Sequence, residues 1–422
     1  MRTYFGTDGI RGVVGDDLTE DLVARVGRAF ARWSGGAQVL IGRDTRASGP
    51  VFQAALAIGL AAGGSRAVDG GVLPTPAVAL LANEAGAMVS ASHNPPEYNG
   101  VKFFRDGWKL EDEEEEAIEA LLDAASDSVD HAPAVPPAAT GAPFADRYVE
   151  LVCDRFGAPL EGLRVAVDCA NGAMYEVAPR TFERLGAHVA IVGNEPDGTN
   201  INVGCGATDL SLLSRTVSDG DFDLGVAFDG DGDRMLAVDA VGQDLDGDQI
   251  LAVLALHLGV DLVAVTEMTN LGFHRLMEER CVRVVTTPVG DRYVLEALRR
   301  EEGKLGGEQS GHVVYLEGHT TGDGLVGAIL LCRAVREEGR TLAELAAAMT
   351  KLPQAKANVL VKSKEIPETL RKEIDALALS GRVVVRPSGT EPVVRILAEA
   401  ESAEAAEILC GRIRALVSRE LG

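Results

Sequence analysis

Three times in this chain a short apolar run empties into a polar, glycine-rich loop, and that recurrence limits the architectures open to it. Gly86-Ala87-Met88-Val89 leads into Ser90-Ala91-Ser92-His93-Asn94-Pro95, and Leu224-Gly225-Val226-Ala227-Phe228 leads into Asp229-Gly230-Asp231-Gly232-Asp233-Arg234. Gly303-Lys304-Leu305 leads into Gly306-Gly307-Glu308-Gln309-Ser310-Gly311-His312. Runs rich in β-branched residues alternate with helical patterns almost throughout, which is the pattern of layered α/β domains. Ligands of open α/β sheets gather at the carboxyl ends of strands. The three loops, with a fourth at Arg386-Pro387-Ser388-Gly389-Thr390, are therefore expected to converge on one cleft.

The 422 residues suffice for about three domains. Strands are predicted over 39–42, 87–89, 164–167, 189–192, 224–228, 262–265, 282–285, 358–361, 382–385 and 394–397. Helices are predicted over 51–62, 177–185, 249–258 and 367–377, with others starting near Asp291 and closing the chain. Residues 126–143, rich in Ala, Pro, Asp and Ser, read as a linker. The acidic run Glu111–Glu116 opens a helix reaching about Ala125 and reads as a solvated first turn whose charge suits the helix dipole.

Forty Lys and Arg against 64 Asp and Glu leave a net charge of −24. That balance argues against a grip on nucleic acid, which displaces counterions with basic side chains, and against an anionic membrane surface. An anionic small substrate would need a local basic pocket. The opening residues lack the apolar stretch of a signal peptide, and no apolar run nears the roughly 18 residues of a membrane span. The cysteines (Cys153, Cys169, Cys205, Cys281, Cys332, Cys410) form no Cys-x-x-Cys pair and read as reduced thiols, so the expected setting is cytoplasmic.

The loop Asp229–Arg234 is the strongest chemical signal. Its glycines let the backbone fold tightly, so three carboxylates can face one point, and hard oxygen ligands in a compact loop suit Mg²⁺. An EF-hand fails, because its sixth position would be Arg234 and its twelfth Ala240. Arg234 is expected to face a phosphate or sugar oxygen. The similar stretch Asp244–Asp248 reads as a helix start, with Asp246 as N-cap. Ser92, ahead of Pro95-Pro96, is a strand-end serine on a rigid mount, and Ser90 competes with it as nucleophile. Serine needs a base or a metal to act. His93 and Lys102 are the near candidates, and no Gly-x-Ser-x-Gly elbow is present at this loop.

Arg386 to Pro392, with Arg395 beyond, reads as an anion cup of guanidinium, hydroxyl and backbone N–H donors. Gly6–Gly12 has the same ingredients and could add Arg11. Glu308, Ser310 and His312 offer a mixture suited to sugar hydroxyls. Gly322–Gly327 fits G-x-G-x-x-G, but no buried strand precedes it, so it is not read as a nucleotide site. The remaining histidines, His131, His188, His257, His274 and His319, read as surface or structural residues.

Ser-His-Asn-Pro at 92–95, Asp-Gly-Asp-Gly-Asp-Arg at 229–234, Gly-Glu-x-Ser-Gly-His at 307–312 and Arg-Pro-Ser-Gly-Thr-Glu-Pro at 386–392, in this order, resemble the α-D-phosphohexomutase superfamily over essentially the whole chain. Gly6–Gly12, Ser90–His93, Val289–Tyr293 and above all Gln309, where phosphomannomutase/phosphoglucomutase relatives usually have Met, resemble its bacterial branch acting on glucosamine phosphates.

The resemblance implies an α/β fold with three similar α/β domains, residues 1–143, 144–244 and 245–352, around a central cleft. A smaller C-terminal α+β domain of the TATA-box-binding-protein-like type would span 353–422. It implies a phosphorylated Ser92, with Mg²⁺ held by that phosphate and by Asp229, Asp231 and Asp233. Glu308 and Ser310 would contact sugar hydroxyls and His312 would lie near the reacting oxygens. Arg386, Ser388, Gly389, Thr390 and Arg395 would hold the non-transferring phosphate. The implied reaction interconverts glucosamine 6-phosphate and glucosamine 1-phosphate through a hexosamine 1,6-bisphosphate. Lys102 and Arg234 would add positive charge, and His93, Lys102, Arg11 and His312 are the candidate proton carriers. A phosphomannomutase/phosphoglucomutase with the same mechanism is the alternative, followed by a Mg²⁺-dependent sugar-phosphate phosphatase. The implied partner is a small hexosamine phosphate, with no nucleic acid and no membrane; a homodimer is compatible with this reading.

Overall fold

The computed structural model describes residues 3–6, 8–123, 142–378, 381–388 and 392–422. The three recurring strands, Ala85–Val89, Leu224–Phe228 and Leu305–Gly307, are buried along their whole length, and all pair alike. Each has a parallel neighbour on one side: Gln38–Arg43, Arg164–Asp168 or Leu262–Thr266. On the other side, antiparallel, lies the strand that follows its own loop: Tyr98–Arg105, Met235–Asp239 or Val313–Tyr315. Each polar loop is thus a tight reversal, which is why glycine and short polar residues recur there.

Four sheets result. The first runs Ile10–Val13, Tyr98–Arg105, Ala85–Val89, Gln38–Arg43, Arg66–Val72, with Trp108–Lys109 added beside Tyr98–Arg105. The second runs Asp244–Leu245, Met235–Asp239, Leu224–Phe228, Arg164–Asp168, His188–Val192, and the third Arg283–Thr287, Leu262–Thr266, Leu305–Gly307, Val313–Tyr315. The central strands read as continuous apolar runs because both faces are covered. The fourth sheet, Gln354–Leu360, Val393–Glu399, Arg382–Pro387, is wholly antiparallel.

One apolar core threads the first three sheets, from Leu73 and Val78 through Tyr148, Val165 and Phe228 to Val263 and Leu330. The fourth sheet instead packs Val394, Ile396 and Ala398, alternate residues of one strand, on helices Glu368–Leu377 and Ala403–Leu421 in a core of its own.

Two readings need correction. Residues 126–141 of the expected linker lie outside the described residues, but Ala142 and Pro143 already begin the helix Ala142–Phe156. A proline in a first helical turn gives up no intrahelical bond, so it marks a start there, not an interruption. The acidic run is not merely solvated. Arg292, from the third sheet's domain, pairs with Asp112 and with buried Glu115 (2.7 Å for the latter), and Arg299 stacks 4.6 Å over Trp108. The run is one side of a seam between domains. Asp246 does cap its helix, Gly247–Leu258, in a reciprocal box with Gln249. All six cysteines are free thiols, and no helix among the described residues is long and apolar enough to cross a membrane.

Candidate active site

Where strand Ala85–Val89 ends, Ser92 adopts a left-handed backbone, φ +52°, which costs an L-residue about 1–2 kcal/mol. Buried polar groups over-determine it. Ser90 Oγ accepts from Ser92 N (2.9 Å) and donates to Asp44 Oδ2 (2.6 Å). Arg46, wholly buried and paired with Asp44 at 2.9 Å, donates to Ser92 O (3.0 Å) and Asn94 O (2.8 Å). Asn202 reaches the same two carbonyls from the second domain, at 2.9 and 3.2 Å. Ser90 is therefore a strut beneath the loop. The hydroxyl of Ser92 donates to Asp229 Oδ2 at 2.6 Å, with His93 Nδ1 3.2 Å away.

In the second loop, Asp229, Asp231 and Asp233 each place an oxygen within 4.8 Å of the others, all buried. Gly232 N and Arg234 N donate to Asp229 Oδ1 (3.1 and 3.2 Å), and Thr75 Oγ1 donates to Asp231 Oδ2 (2.6 Å). The G-x-G-x-x-G turn ends here too: Gly324 N donates to Gly232 O (3.0 Å), and a Cβ on Gly324 would lie 2.6 Å from Arg234 O. Its glycine serves close packing of a helix start against the carboxylate loop, with Asp323 as N-cap.

Burial, reinforced by the like charges of Asp231 and Asp233, pushes Asp229 up to about 8. Among the described residues no donor hydrogen-bonds Asp231 Oδ1 or Asp233 Oδ1, both buried, a costly state for a carboxylate. A hard divalent cation would relieve it, and three converging carboxylates suit one. Lys102 Nζ, from strand Tyr98–Arg105, donates to Asp231 Oδ2 (2.7 Å) and Asp233 Oδ2 (3.2 Å) and pairs with Asp8 Oδ2 (2.8 Å). Burial alone would lower its pKa, but Asp231, Asp233 and Asp8 outweigh burial and keep the ammonium charged.

A cavity of about 350 Å³ opens between the first three domains, walled by Arg11, His93 and Lys109, by Asp233 and Arg234, and by Asp291, Glu308 and His312. Burial, with Arg234 and Arg11 alongside, lowers His93 to about 4. His312 moves the other way: burial would lower it, but Asp291, 3.1 Å from Nε2, and Asp233 raise it to about 10. Glu308 is buried and accepts from Gly290 N (3.1 Å); burial raises its pKa. The pocket thus interleaves cations (Arg11, Lys109, Arg234, His312) with carboxylates (Asp8, Asp233, Asp291, Glu308).

The three recurring loops meet, and the fourth stands apart. Arg386 and Arg395 line a second cavity, about 450 Å³, with Met268, Lys356 and Asn358, and no residue lines both cavities. Ser388 is buried, its carbonyl accepting from Lys364 Nζ (2.8 Å), and Gly389 and Thr390 lie outside the described residues. The reason is the separate core of the fourth sheet, whose hydrogen bonds to other domains, among the described residues, run to the third domain. Ser310 is exposed at the tip of its turn and off the cavity wall. Gln309 also faces away from the cavity.

Sequence reasoning passed over Asp8, Lys109 and Asp291, although Lys109 joins the other two, donating to Asp8 Oδ1 (2.8 Å) and to Asp291 Oδ2. It also passed over Glu119, which accepts from the N–H groups of Thr3, Tyr4 and Phe5 (2.6 to 2.7 Å) and so fixes the segment leading to Arg11. Asp8 and Asp291 do sit inside motif-like stretches; Lys109 and Glu119 carry no local signal.

The chain matches the family descriptions Phosphoglucomutase/phosphomannomutase, alpha/beta/alpha domain I over residues 2–128, domain II over 146–242, domain III over 246–352, and C-terminal domain over 331–416. It is 46% identical to a phosphoglucosamine mutase of Pelotomaculum thermopropionicum, across 98% of either chain. It is 42% identical to that of Bacillus subtilis, across 100% of both. A solved phosphoglucomutase/phosphomannomutase family protein of Burkholderia thailandensis superposes with a TM-score of 0.82 at 25% identity, covering 99% of this chain and 98% of that one. An Aspergillus fumigatus N-acetylphosphoglucosamine mutase, solved with GlcNAc-6P and magnesium, shares the fold at a TM-score of 0.68 and 20% identity, covering 99% and 96%. Identity at this level, sustained from end to end, places the chain in the phosphoglucosamine mutase family of phosphohexomutase isomerases.

Proposed function

We propose that the chain interconverts glucosamine 6-phosphate and glucosamine 1-phosphate by passing a phosphoryl group through Ser92. The observation that carries this is the Ser92 hydroxyl, strained toward Asp229 at 2.6 Å, beside three buried carboxylates and a cavity whose wall includes Arg11, Lys109 and Arg234. With Ser92 phosphorylated, the oxygen of the sugar's C1 or C6 hydroxyl forms a new bond to phosphorus as the bond to Ser92 Oγ breaks. The sugar hydroxyl's proton passes to a base, and an acid gives a proton to Ser92 Oγ as it leaves, so serine ends as the free alcohol. The resulting hexosamine 1,6-bisphosphate turns end for end, and the reverse transfer from its other phosphate restores phosphoserine.

Such transfers depend on positioning and charge neutralisation. Asp229, Asp231, Asp233 and the Ser92 phosphate are the groups that would hold Mg²⁺, which when bound neutralises charge on the transferring group. Lys102, Arg234 and Arg11 add positive charge. Of the candidate proton carriers His93, Lys102, Arg11 and His312, the one lowered to about 4, His93, is the group free to accept the hydroxyl's proton, and His312, raised to about 10, is one able to give a proton. Glu308 and Ser310 are assigned to sugar hydroxyls. Arg386, Ser388, Gly389, Thr390 and Arg395 are assigned to the other phosphate. Because their cavity is separate, the C-terminal domain has to approach the first three domains for both sites to hold one substrate.

The test is turnover of glucosamine 1-phosphate with Mg²⁺ and a trace of hexose 1,6-bisphosphate. The expected product is glucosamine 6-phosphate without inorganic phosphate, at higher kcat/KM than for glucose 1-phosphate or mannose 1-phosphate. Orthophosphate without isomerisation would identify a phosphatase. A preference for glucose or mannose phosphate would keep the mechanism and change the substrate.

A further inference from the structure

The C-terminal sheet is mounted on the third domain through a polar seam, whereas the other three sheets share an apolar core. Fully buried Glu399 is its hub. Oε2 accepts from Arg382 Nη1 (2.8 Å), and Oε1 accepts from Gln354 Nε2 (2.8 Å) and Leu271 N (3.3 Å). Arg382 donates on to Thr269 O (2.6 Å) and to Glu267 O. Asn270 clamps Leu352, just ahead of the sheet: Nδ2 donates to Leu352 O (2.9 Å) and Oδ1 accepts from Leu352 N (3.0 Å). Asn270 N itself donates to buried Asp248 Oδ2 (2.8 Å).

Gln309 joins this seam to the active site. It lies between Glu308 and Ser310 in sequence, yet its side chain is off the cavity wall. Nε2 is 3.2 Å from Asp248 Oδ2 and 3.4 Å from Asp246 Oδ2 and Gln354 Oε1, so one amide spans the third domain and the first strand of the fourth sheet. The backbone of the turn is locked beneath. Gly247 N donates to Gln309 O (3.0 Å), and a Cβ on Gly247 would meet Glu308 O at 2.1 Å. A Met here would offer no donor to Asp248, Asp246 or Gln354. Asp248 Oδ2 would keep Asn270 N and Asp246 Oδ2 would keep Lys351 (2.7 Å), so what is lost is the amide link between the two domains.

We propose that Gln309 is a positioning residue: it registers the C-terminal domain on the sugar-binding turn and thereby retains the bisphosphate while it turns over. Since the two cavities share no wall, a bisphosphate spanning them stays bound only while that domain keeps its register with Glu308. This rests on the mutase reading above.

The experiment starts from enzyme carrying radiolabelled phosphate on Ser92, mixed with glucosamine 6-phosphate. Label leaves as glucosamine 1-phosphate after a completed turnover or as escaped bisphosphate after a failed one. Wild type that releases neither would sink the mutase reading itself. Gln309→Met is expected to raise the escaped fraction about fivefold or more, lowering kcat while leaving the ratio of kcat/KM for glucosamine over glucose phosphate unmoved. Gln354→Met, which cuts the same link from the other domain and also removes a donor to Glu399, is expected to raise escape at least as much, with little added by combining it with Gln309→Met. It also carries the test alone if Gln309→Met does not fold. Escape at the wild-type level in both variants overturns the proposal. So does a Gln309→Met that shifts the sugar ratio while escape stays put, which would make Gln309 a sugar contact.

Discussion

Replacing Ser90 by alanine separates the strut from the proposed phosphoryl carrier, Ser92. The substitution deletes a buried donor to Asp44 Oδ2 at 2.6 Å and a buried acceptor of Ser92 N at 2.9 Å. A hydrogen bond to a charged group contributes about 1.5–3 kcal/mol and a stranded buried N–H costs about 1–3 kcal/mol. Asp44 keeps Arg46 at 2.9 Å, so the lower ends apply and the sum is about 2.5 kcal/mol. Relaxation of the left-handed Ser92 backbone would return about 1 kcal/mol, leaving a net loss of about 1.5 kcal/mol. The same relaxation carries Oγ off Asp229. A shift on the order of 1 Å at a reacting group costs up to about 100-fold in rate. Ser90→Ala is therefore expected to turn over about 10- to 100-fold more slowly and still to take up phosphate from a labelled hexose bisphosphate, read by intact mass and label. Ser92→Ala should take up none and lose turnover altogether. Wild-type stability and rate in Ser90→Ala would refute the strut, and label on Ser92→Ala but not on Ser90→Ala would reverse the two roles.

Asp231→Asn should abolish both turnover and its Mg²⁺ dependence, and chelation with excess EDTA should silence the wild type; near-normal rates under chelation would remove the metal from the mechanism. Arg386→Ala should chiefly raise KM, equivalent to about 2–5 kcal/mol of lost contact with a phosphate, and an unchanged KM would place the anion cup elsewhere. Burial, with Asp246 and Glu399 nearby, pushes Asp248 up to about 7. The folded protein then keeps a proton that the unfolded chain releases near pH 4, so this group withdraws stability progressively between roughly pH 4 and pH 7 and by a constant amount above that. Asp248→Asn should accordingly flatten the decline in denaturation midpoint over that window, with its largest gain above pH 7; a midpoint profile parallel to the wild type would contradict the raised carboxyl.

The parts of this fold that could be read in advance are those written locally. Leu224–Phe228 and the carboxylate loop behind it announce strand and turn within eleven residues, and Asp246 with Gln249 announces a helix start. What could not be read depends on partners far along the chain. Glu115 is an ordinary acid until Arg292 arrives from the third domain, and Glu119 until the N–H groups of Thr3 to Phe5 are folded against it. Strand alternation would put Ser90 and Ser92 on one face, but the positive φ at Ser92 breaks the period, so only the folded loop shows Ser90 bonded to Asp44 and Ser92 to Asp229. Gln309 stands in a recognisable motif, yet no sequence pattern reports that its amide turns toward Gln354.

The separate core of the C-terminal sheet also governs how the molecule comes apart. The first three sheets share one apolar cluster and should melt together, while the fourth, held by polar bonds, can lose its structure as a cooperative unit of its own. Denaturation then has at least two stages, and the choice of probe decides which is seen. Both tryptophans, Trp33 and Trp108, lie in the first domain, so intrinsic tryptophan fluorescence follows the early part of the chain and is silent about the last. A tryptophan introduced into helix Ala403–Leu421 would give that unit a reporter of its own.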